Sequence, residues 1–437
     1  MPSTDSEIRS LALPAMAALA ADPLLSLVDT ALVGRLGAVP LAALGVSAAV
    51  FGLVFVVCNF LTYGTTAEVA RMRGAGAPEE AARHALQALW LALGIGALIT
   101  VVLVSFAGPV LAAMGASGPV TGPALDYTRV RGLAAVPVLV VMVGHGAFRG
   151  LKDTRTPLTI TVLANGGNAA LSWVLIHAAG LGVVGAAYGT LVAQVAAATA
   201  FLVLGRRALA PPDLRVEPQA MRRIVRVSRD LFLRTLSLVS ALLVTTAVAA
   251  RMGTTTVAAH QVARELWLMM TLVLDGFAIA GQAMVGTALG AARPEVARRV
   301  GRRLIAWGLG AGTLVGAGYL ALAGLLPRVF TTDEAVLAEI ASVWLLIALL
   351  QPVGGVVFVL DGVLMGAADY RFLLWSTAGA ALVALVPVSL AALWLGWGLV
   401  GIWVGMAAMM LVRLATILRR FGQEGWTGQV SAEQGRR

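Results

Sequence analysis

The sequence contains few charged residues and only one residue each of cysteine and lysine. Asp, Glu, Lys and Arg make up 12% of the 437 residues. A single cysteine, Cys58, excludes an internal disulfide and a metal site built from cysteines. The one lysine, Lys152, lies in the segment FRGLKDTRTP, which does not fit the glycine-rich loop and lysine that bind phosphates in P-loop proteins. The chain therefore lacks an ATP-driven motor of its own.

Hydrophobic residues are abundant where charges are missing. They make up 59% of the chain, and the mean hydropathy is +0.88. A water-soluble domain cannot bury this much apolar surface, so the composition predicts an all-α integral membrane protein whose apolar segments, each about 20 residues long, cross the bilayer as helices. The net charge of +10 is carried by arginines in short loops, which favours membrane topology over nucleic-acid binding.

Charged and Gly/Pro-rich stretches divide the chain into twelve predicted transmembrane helices. Loops after the even-numbered helices are rich in arginine and the alternate loops are not, and positive charges stay on the cytoplasmic side. We therefore expect a multi-pass protein of the cell (plasma or inner) membrane with both termini in the cytoplasm. The start, MPSTDSEIRS, lacks the basic region of a signal peptide, so the first helix is expected to be retained. The predicted helices are 11–34, 41–66, 85–106, 125–147, 158–178, 182–204, 228–251, 257–283, 304–326, 336–362, 373–393 and 397–418.

The two halves of the sequence align when one is shifted by 216 positions. Gly146 then falls on Gly362 and Gly180 on Gly396, with further matches at the same offset. An offset that spans six helices places both copies in the membrane in the same orientation, which predicts two six-helix bundles related by a parallel pseudo-two-fold repeat. Duplicated bundles of this kind are typical of transporters that alternate access to a site between or within the bundles.

The repeat also predicts the domain organisation. We expect an N-terminal six-helix lobe, a basic cytoplasmic linker, a C-terminal six-helix lobe and a cytoplasmic tail, and we expect a monomer surrounded by membrane lipids. The predicted boundaries are 1–204, 205–226, 227–420 and 421–437.

Carboxylates inside the predicted helices are the candidate ion-coupling groups. Without an ATP motor, transport needs an ion gradient, and an acid held in the membrane can couple to one by changing its protonation or its ligands. A central Asp costs about 2.5 to 3.5 kcal/mol to insert, so it is seldom present without a use. Asp29 and Asp361 are the favoured candidates, whereas for Asp275 a structural role is equally open. Asp22 and, nearer a helix end, Glu265 complete the set.

The first helix contains two of these acids on one face. Asp22 and Asp29 are seven residues apart, and Pro23 between them frees the carbonyl of Leu19 from its helical hydrogen bond. The two carboxylates and the carbonyl could bind a proton or Na⁺, and Pro23 is a predicted bending point. Alternatively, Asp22 faces a crevice or caps the kink.

Neither favoured acid is duplicated by the repeat. At the offset of 216, Asp29 meets Thr245 and Asp361 meets His145, which indicates chemistry specific to one lobe. His145 and His177 are interpreted as hydrogen-bonded or interfacial residues. No metal site and no cofactor are expected, with H⁺ or Na⁺ as the coupling ion, and the sequence has no nucleophile–base cluster that would indicate an enzyme.

Amide and hydroxyl side chains on helices 5 and 6 extend the candidate site. Asn165 and Asn168 are neighbours on one helix face, and Ser172 lies one turn further. Thr190 and Gln194 on helix 6 could join the same cavity. Hydrogen bonding between packed helices would also explain such groups.

These motifs resemble the multidrug and toxic compound extrusion (MATE) family, in particular its DinF-like branch. The resemblance covers nearly the whole chain and rests on the segments LVDTALVGRLG, FRGLKDTRTPLTI, GLGVVGAAYGT, SRDLFLRT, AAHQVARELW, LVLDGFAIAGQAMVG and QPVGGVVFVLDGVLMGAADYR. It implies twelve helices in two lobes and the outward exchange of cationic or amphipathic compounds for H⁺ or Na⁺. It also implies that Asp29 is the acid of the N-terminal lobe, with Asn168 and Thr190 in the same cavity, and that Asp361 corresponds to a cation-binding acid of other branches.

Two positions depart from the family pattern. Ser172 stands where many members have a second acid on helix 5, and Arg234 occupies the neighbourhood of a helix 7 glutamate of the NorM-type branch. Both departures weaken a Na⁺ site and favour H⁺.

The leading hypothesis is a secondary active multidrug efflux antiporter that exports cationic or amphipathic small molecules in exchange for H⁺ by alternating access. The alternative is a flippase for lipid-linked precursors with a related fold. A flippase should have a basic central cavity, whereas Arg234 is the main arginine inside a predicted helix. A passive channel would use both lobes symmetrically and would not need an unduplicated acid.

Overall fold

The computed structural model describes residues 3–209, 213–423 and 425–427, and these ranges are helical without strands. Eleven helices are long and apolar enough to cross a membrane, and a bent pair of helices gives a twelfth crossing if the pair spans as one element. The predicted all-α fold with twelve spans is confirmed. The spans are α1 Thr4–Gly34, α2 Ala38–Gly74, α3 Pro78–Ser105, α4 Gly118–Gly132 with Ala135–Gly150, α5 Arg155–Ala178, α6 Gly182–Leu209, α7 Pro218–Met252, α8 Thr254–Gly290, α9 Pro294–Ala321, α10 Glu334–Gly366, α11 Tyr370–Leu395 and α12 Gly398–Gly422.

Local sequence explains where several spans begin. Pro78 and Pro294 stand at the first positions of α3 and α9, where the missing backbone N–H costs no helical hydrogen bond. Asp333 caps α10, because its Oδ1 accepts hydrogen bonds from the backbone N–H groups of Ala335 and Val336 at 2.9 and 3.3 Å. α4 differs from the other spans because it is bent by 49° between Gly132 and Ala135.

The turns between the spans repeat at the offset of 216. Gly37 and Gly253 have φ angles of 118° and 139°, a backbone region that favours glycine because it has no Cβ. Lys152 and Ala368 have φ angles of 62° and 58°, a left-handed conformation that costs a residue with a Cβ about 1 to 3 kcal/mol. The same strained turn is therefore kept in both halves even without glycine.

Close approaches between helices repeat in the same way. A Cβ added to Gly146 would lie 2.7 Å from the backbone carbonyl oxygen of Thr62, and a Cβ added to Gly362 would collide with the carbonyl oxygen of Ala278. Thr62 and Ala278 are themselves 216 positions apart. Small residues thus allow α2 to approach α4 and α8 to approach α10 with equivalent contacts, which supports the repeat found in the sequence.

The chain divides into two compact units. The N-terminal unit comprises residues 17–228, and the C-terminal unit comprises the residues up to Met16 together with the chain from Arg229 onward. Within the C-terminal unit, Asp5 of α1 pairs with Arg303 at 2.5 Å and accepts a hydrogen bond from Trp307 at 2.9 Å. The start of α1 therefore packs with the second half of the sequence, a feature that lobe boundaries drawn at 1–204 and 227–420 do not include. Those boundaries stay predictions.

The connection between α6 and α7 is docked on α3 within the N-terminal unit. Gln87 forms two hydrogen bonds to it: Nε2 donates to the carbonyl oxygen of Arg215 at 2.8 Å, and Oε1 accepts from the N–H of Glu217 at 3.0 Å. Trp90 Nε1 donates to the carbonyl oxygen of Leu214 at 3.2 Å. The backbone of residues 214–217 is therefore held by side chains of one helix.

The predicted linker 205–226 is only partly a loop, because α6 extends to Leu209 and α7 begins at Pro218. Residues 210–212 lie outside the described residues. So does the predicted tail 421–437, except for its first few residues.

Candidate functional site

Asp29 lies on α1 in the N-terminal unit and is half-buried. Its carboxylate interacts electrostatically with Arg131 and with the amide of Asn168. In the described part of the chain no ion pair is formed with it, and its Oδ1 is buried without a hydrogen-bond partner. A carboxylate in a membrane helix with an unused oxygen can take up a proton or bind a cation without breaking an existing ion pair.

Asn168 and Ser172 on α5 and Thr190 on α6 are buried side chains of the same unit. Ser172 Oγ donates to Asn168 Oδ1 at 3.0 Å, and Thr190 Oγ1 donates to the carbonyl oxygen of Ala186 at 3.0 Å. A Cβ on Gly189 would collide with Ser172 Oγ, so this glycine permits the close contact of the two helices. Asn168 Nδ2 has no partner among the described residues, which leaves its N–H groups available to the Asp29 carboxylate.

Arg131 of α4 is the positive charge of this region. Its guanidinium lies over the rings of Phe51 and Phe55, with centroids at 5.1 and 5.6 Å. It interacts electrostatically with both Asp29 and Asp22. Two aromatic faces hold the cation beside the acids, at a distance that leaves the Asp29 carboxylate without a direct ion pair.

Asp22 and Asn165 form a second polar pair between α1 and α5. Asn165 Nδ2 donates to Asp22 Oδ1 at 3.2 Å, and Asp22 is exposed. Pro23 follows Asp22 inside α1, which remains helical through this position. The structure thus brings Asp22, Asp29, Asn165 and Asn168 into one arrangement of two neighbouring helices.

Asp361 lies in a different environment in the C-terminal unit. It is 4% exposed, and its Oδ2 accepts hydrogen bonds from Arg234 Nη2 at 2.5 Å and from Arg413 Nη2. Arg234 Nε also donates to Thr377 Oγ1 at 3.3 Å. One carboxylate and two guanidinium groups give this buried cluster a net positive charge. Oδ1 of Asp361 has no partner among the described residues, but the two guanidinium groups on Oδ2 repel a further cation, so this geometry does not support the predicted cation coupling, which stays a prediction.

The position of Asp361 is polar in both units but chemically different. Its counterpart His145 lies with Nε2 3.4 Å from Thr161 Oγ1. Thr161 of α5 and Thr377 of α11 are also 216 positions apart. His145 contacts Thr161 directly, whereas in the other unit Arg234, which is bound to Asp361, contacts Thr377. The two halves thus have polar side chains at equivalent positions, a histidine in one and a charged aspartate in the other.

The position matching Asp29 carries no acid in the C-terminal unit. Thr245 is fully buried there, donates to the carbonyl oxygen of Leu242 at 2.7 Å, and lies 3.3 Å from His260 Nε2. The two units are therefore not equivalent at this position.

Three further predicted residues lie on α6 and α8. Asp275 is half-buried on α8. Glu265 accepts a hydrogen bond from Gln261 at 2.9 Å in an exposed position. Gln194 is half-buried on α6, and its Oε1 has no partner in the described part of the chain.

An apolar cavity of about 610 Å³ opens between α3, α4 and α6 of the N-terminal unit. Phe148 and Phe201 line it, and Arg206 and Asp213 are its charged residues. It contains none of the predicted site residues. Across the described ranges, no group of three or more His, Cys, Asp or Glu side chains is arranged to hold a metal ion.

Arg131 and Arg413 are the functional candidates that sequence reasoning missed. Each lies inside a predicted apolar helix, 125–147 and 397–418, where an arginine is costly and usually has a partner. That signal was available in the sequence. The identity of the partners was not, because it depends on which helices lie side by side.

The fold and site define a multi-pass α-helical membrane protein with an internal repeat and intramembrane acids, a class of architecture typical of membrane transporters. The MatE family model matches residues 14–174 and 231–390, nearly at the offset that aligns the two halves, and the chain belongs to this family of membrane transporters.

Relatives and solved structures agree with this membership. The chain is 35% identical to Protein DETOXIFICATION 44, chloroplastic, of Arabidopsis thaliana, covering 95% of this chain and 82% of that protein. It is 31% identical to DNA damage-inducible protein F of Escherichia coli (strain K12), covering 97% and 94% of the two chains. A structure described as the outward-facing conformation of a multidrug resistance MATE family transporter is similar with a TM-score of 0.87 and 25% identity, covering 99% of this chain and 97% of that chain.

Proposed function

We propose that this protein is a secondary active efflux antiporter that exports cationic or amphipathic small molecules in exchange for H⁺. Asp29 is its coupling acid, and transport proceeds by alternating access, in which the substrate site opens to one side of the membrane at a time. The single observation that carries the proposal is the Asp29 carboxylate, which is half-buried in a membrane-spanning helix with an oxygen that has no partner in the described part of the chain.

The chemistry of exchange follows from the charge of Asp29. When ionised, the carboxylate attracts a cationic substrate, and the free N–H groups of Asn168 stabilise the negative charge. When protonated, the site loses that attraction and releases the cation. Proton and substrate therefore compete for one group, which is the simplest way to couple their movements. The relative described as a multidrug resistance transporter supports a broad range of small organic substrates.

We expect H⁺ rather than Na⁺ to drive the exchange. The neighbour of Asp29 on α5 is the amide of Asn168, which accepts a hydrogen bond from Ser172, and not a second carboxylate. A Na⁺ site needs several oxygen ligands directed at the ion, whereas a proton needs only one carboxylate.

Proteoliposomes with an imposed gradient test this proposal. With an acidic lumen and no Na⁺ gradient, ethidium, a monovalent fluorescent cation, should accumulate inside as protons leave. A Na⁺ gradient at equal pH should give no accumulation above that of protein-free liposomes. Accumulation with Na⁺ alone would contradict the assignment of the proton, and accumulation with neither gradient would contradict antiport.

The topology and setting complete the proposal. Arginines lie at the ends of α2, α6 and α12 that are assigned to the cytoplasm, which supports a cell-membrane protein with both termini in the cytoplasm. These arginines are Arg71, Arg73, Arg206, Arg207, Arg419 and Arg420. We propose that the protein acts as a monomer.

A lipid-linked precursor flippase is a second candidate because of the buried arginines. Arg413 is 2% exposed and shares Asp361 with Arg234, so the C-terminal unit has more intramembrane positive charge than the sequence indicated. Such charge would suit a pyrophosphate headgroup. Transfer of a fluorescent pyrophosphate lipid between leaflets of proteoliposomes, with no ethidium export, would favour this candidate over the antiporter.

A further inference from the structure

Two carboxylate–amide pairs follow one another along α1 and α5. Asp22 accepts a hydrogen bond from Asn165 at 3.2 Å, and Asp29 lies beside Asn168. The acids are separated by seven residues, which is about 10 Å along a helix. The amides are three residues apart on the neighbouring helix. The second helix thus offers a matching amide to each carboxylate.

One cation is shared by both carboxylates. Arg131 interacts electrostatically with Asp29 and with Asp22, and its guanidinium is held by the rings of Phe51 and Phe55. The other charged group that faces Asp22 is Arg149 of α4. Neither arginine forms an ion pair with Asp22 in the described ranges. The protonation of either acid therefore changes the field in which the other one ionises.

We propose that Asp22 is a second proton-carrying group of the same exchange, so that two protons move for each monovalent cation. This inference rests on the proposed function, because it assigns a further residue to the same antiport. It goes beyond the proposed function because it gives Asp22 a role in transport, whereas a residue that only caps the kink at Pro23 would carry no proton.

The charges explain why two protons are used. With both acids ionised, Asp22, Asp29, Arg131 and Arg149 sum to zero charge, and one bound monovalent cation gives one positive charge. Exchanging the cation for a single proton keeps this charge but leaves one carboxylate ionised to attract the cation again. The second proton leaves neither carboxylate ionised and adds a further positive charge, which repels the departing cation.

Asp22 is the more accessible of the two acids, because it is exposed whereas Asp29 is half-buried. Pro23 directly follows Asp22 and removes the backbone hydrogen bond to Leu19. A change in the hydrogen bond between Asp22 and Asn165 therefore acts on α1 next to Pro23, where the helix has lost a backbone hydrogen bond.

The coupling ratio is measured by the ethidium gradient that just balances a proton gradient in proteoliposomes held at zero membrane potential. For the wild type, a difference of one pH unit should balance an ethidium ratio of about 100-fold, and for Asp22→Asn a ratio of about tenfold. Asp22→Glu, which keeps a carboxylate, should retain the wild-type ratio. Because the balance point is thermodynamic, it does not depend on how much of a variant is folded.

The controls separate this inference from the proposed function. Asp126, an exposed aspartate of the same unit, provides a matched variant, Asp126→Asn, that should keep the wild-type ratio. A wild-type balance at about tenfold, or an unchanged ratio in Asp22→Asn, would overturn the role of Asp22 while leaving Asp29 as the coupling acid. Full gradient-driven export by Asp29→Asn would instead overturn the proposed function.

Discussion

Asp29→Asn is expected to reduce proton-driven export of ethidium to the level of liposomes without protein. Asparagine has nearly the same shape as aspartate and can still bond to Asn168, so the helix should fold as before. It cannot release a proton, however, and it offers no negative charge to a cation. Asp29→Glu keeps a titratable carboxylate that is one methylene longer, and it should retain part of the activity. Initial rates of ethidium accumulation in proteoliposomes with an acidic lumen measure the effect.

The matched control for this loss is Asp126→Asn, which removes an exposed aspartate of the same unit. It should export at the wild-type rate. Thr245→Asp tests the asymmetry of the two units, because Thr245 is the buried counterpart of Asp29, and it should not restore export to Asp29→Asn. Wild-type rates in Asp29→Asn would remove Asp29 from the mechanism.

Asp361→Leu is expected to lower the free energy of unfolding by about 3 to 5 kcal/mol. The substitution leaves Arg413, which is 2% exposed, and Arg234 in the C-terminal unit without their shared carboxylate. A buried charge that loses its partner carries an uncompensated desolvation cost. The triple variant Asp361→Leu, Arg234→Met and Arg413→Met removes all three charges together and should recover most of the lost stability. Reversible unfolding in mixed micelles measures both.

An exposed ion pair provides the control for that measurement. Asp213 and Arg215 lie 3.6 Å apart with largely exposed side chains, so Asp213→Asn should change stability by no more than about 1 kcal/mol. If Asp361 instead binds the coupling cation, the triple variant should recover stability but still fail to export ethidium. A structural role predicts that the triple variant recovers export together with stability.

The fold was largely predictable because its signals are local and repeated. Apolar segments of membrane length indicate the spans, and the constant offset of 216 recurs in the turn at Gly37 and Gly253 and in the contacts of Gly146 and Gly362. The bend of α4 and the packing of the start of α1 with the C-terminal unit were not predictable. Both depend on contacts between distant parts of the chain rather than on the composition of one segment.

The candidate site was predictable only in part. Helical spacing and the family resemblance placed Asp29, Asn168 and Ser172 together, and the structure gives Asn168 and Ser172 a hydrogen bond. Spacing treats every intramembrane acid alike, however, and so ranked Asp361 beside Asp29. The two acids differ in their ion pairs: neighbouring helices bring two arginines to Asp361, whereas Asp29 forms no ion pair in the described part of the chain.

Proton release on substrate binding tests the central claim most directly. Purified protein in detergent and weakly buffered solution receives ethidium at several pH values, and a pH-sensitive dye records the protons released per ethidium bound. The wild type should release protons over the pH range in which Asp29 is protonated, and Asp29→Asn should release fewer. Ethidium binding without proton release by the wild type, or equal release by both proteins, would contradict the competition of proton and substrate for Asp29.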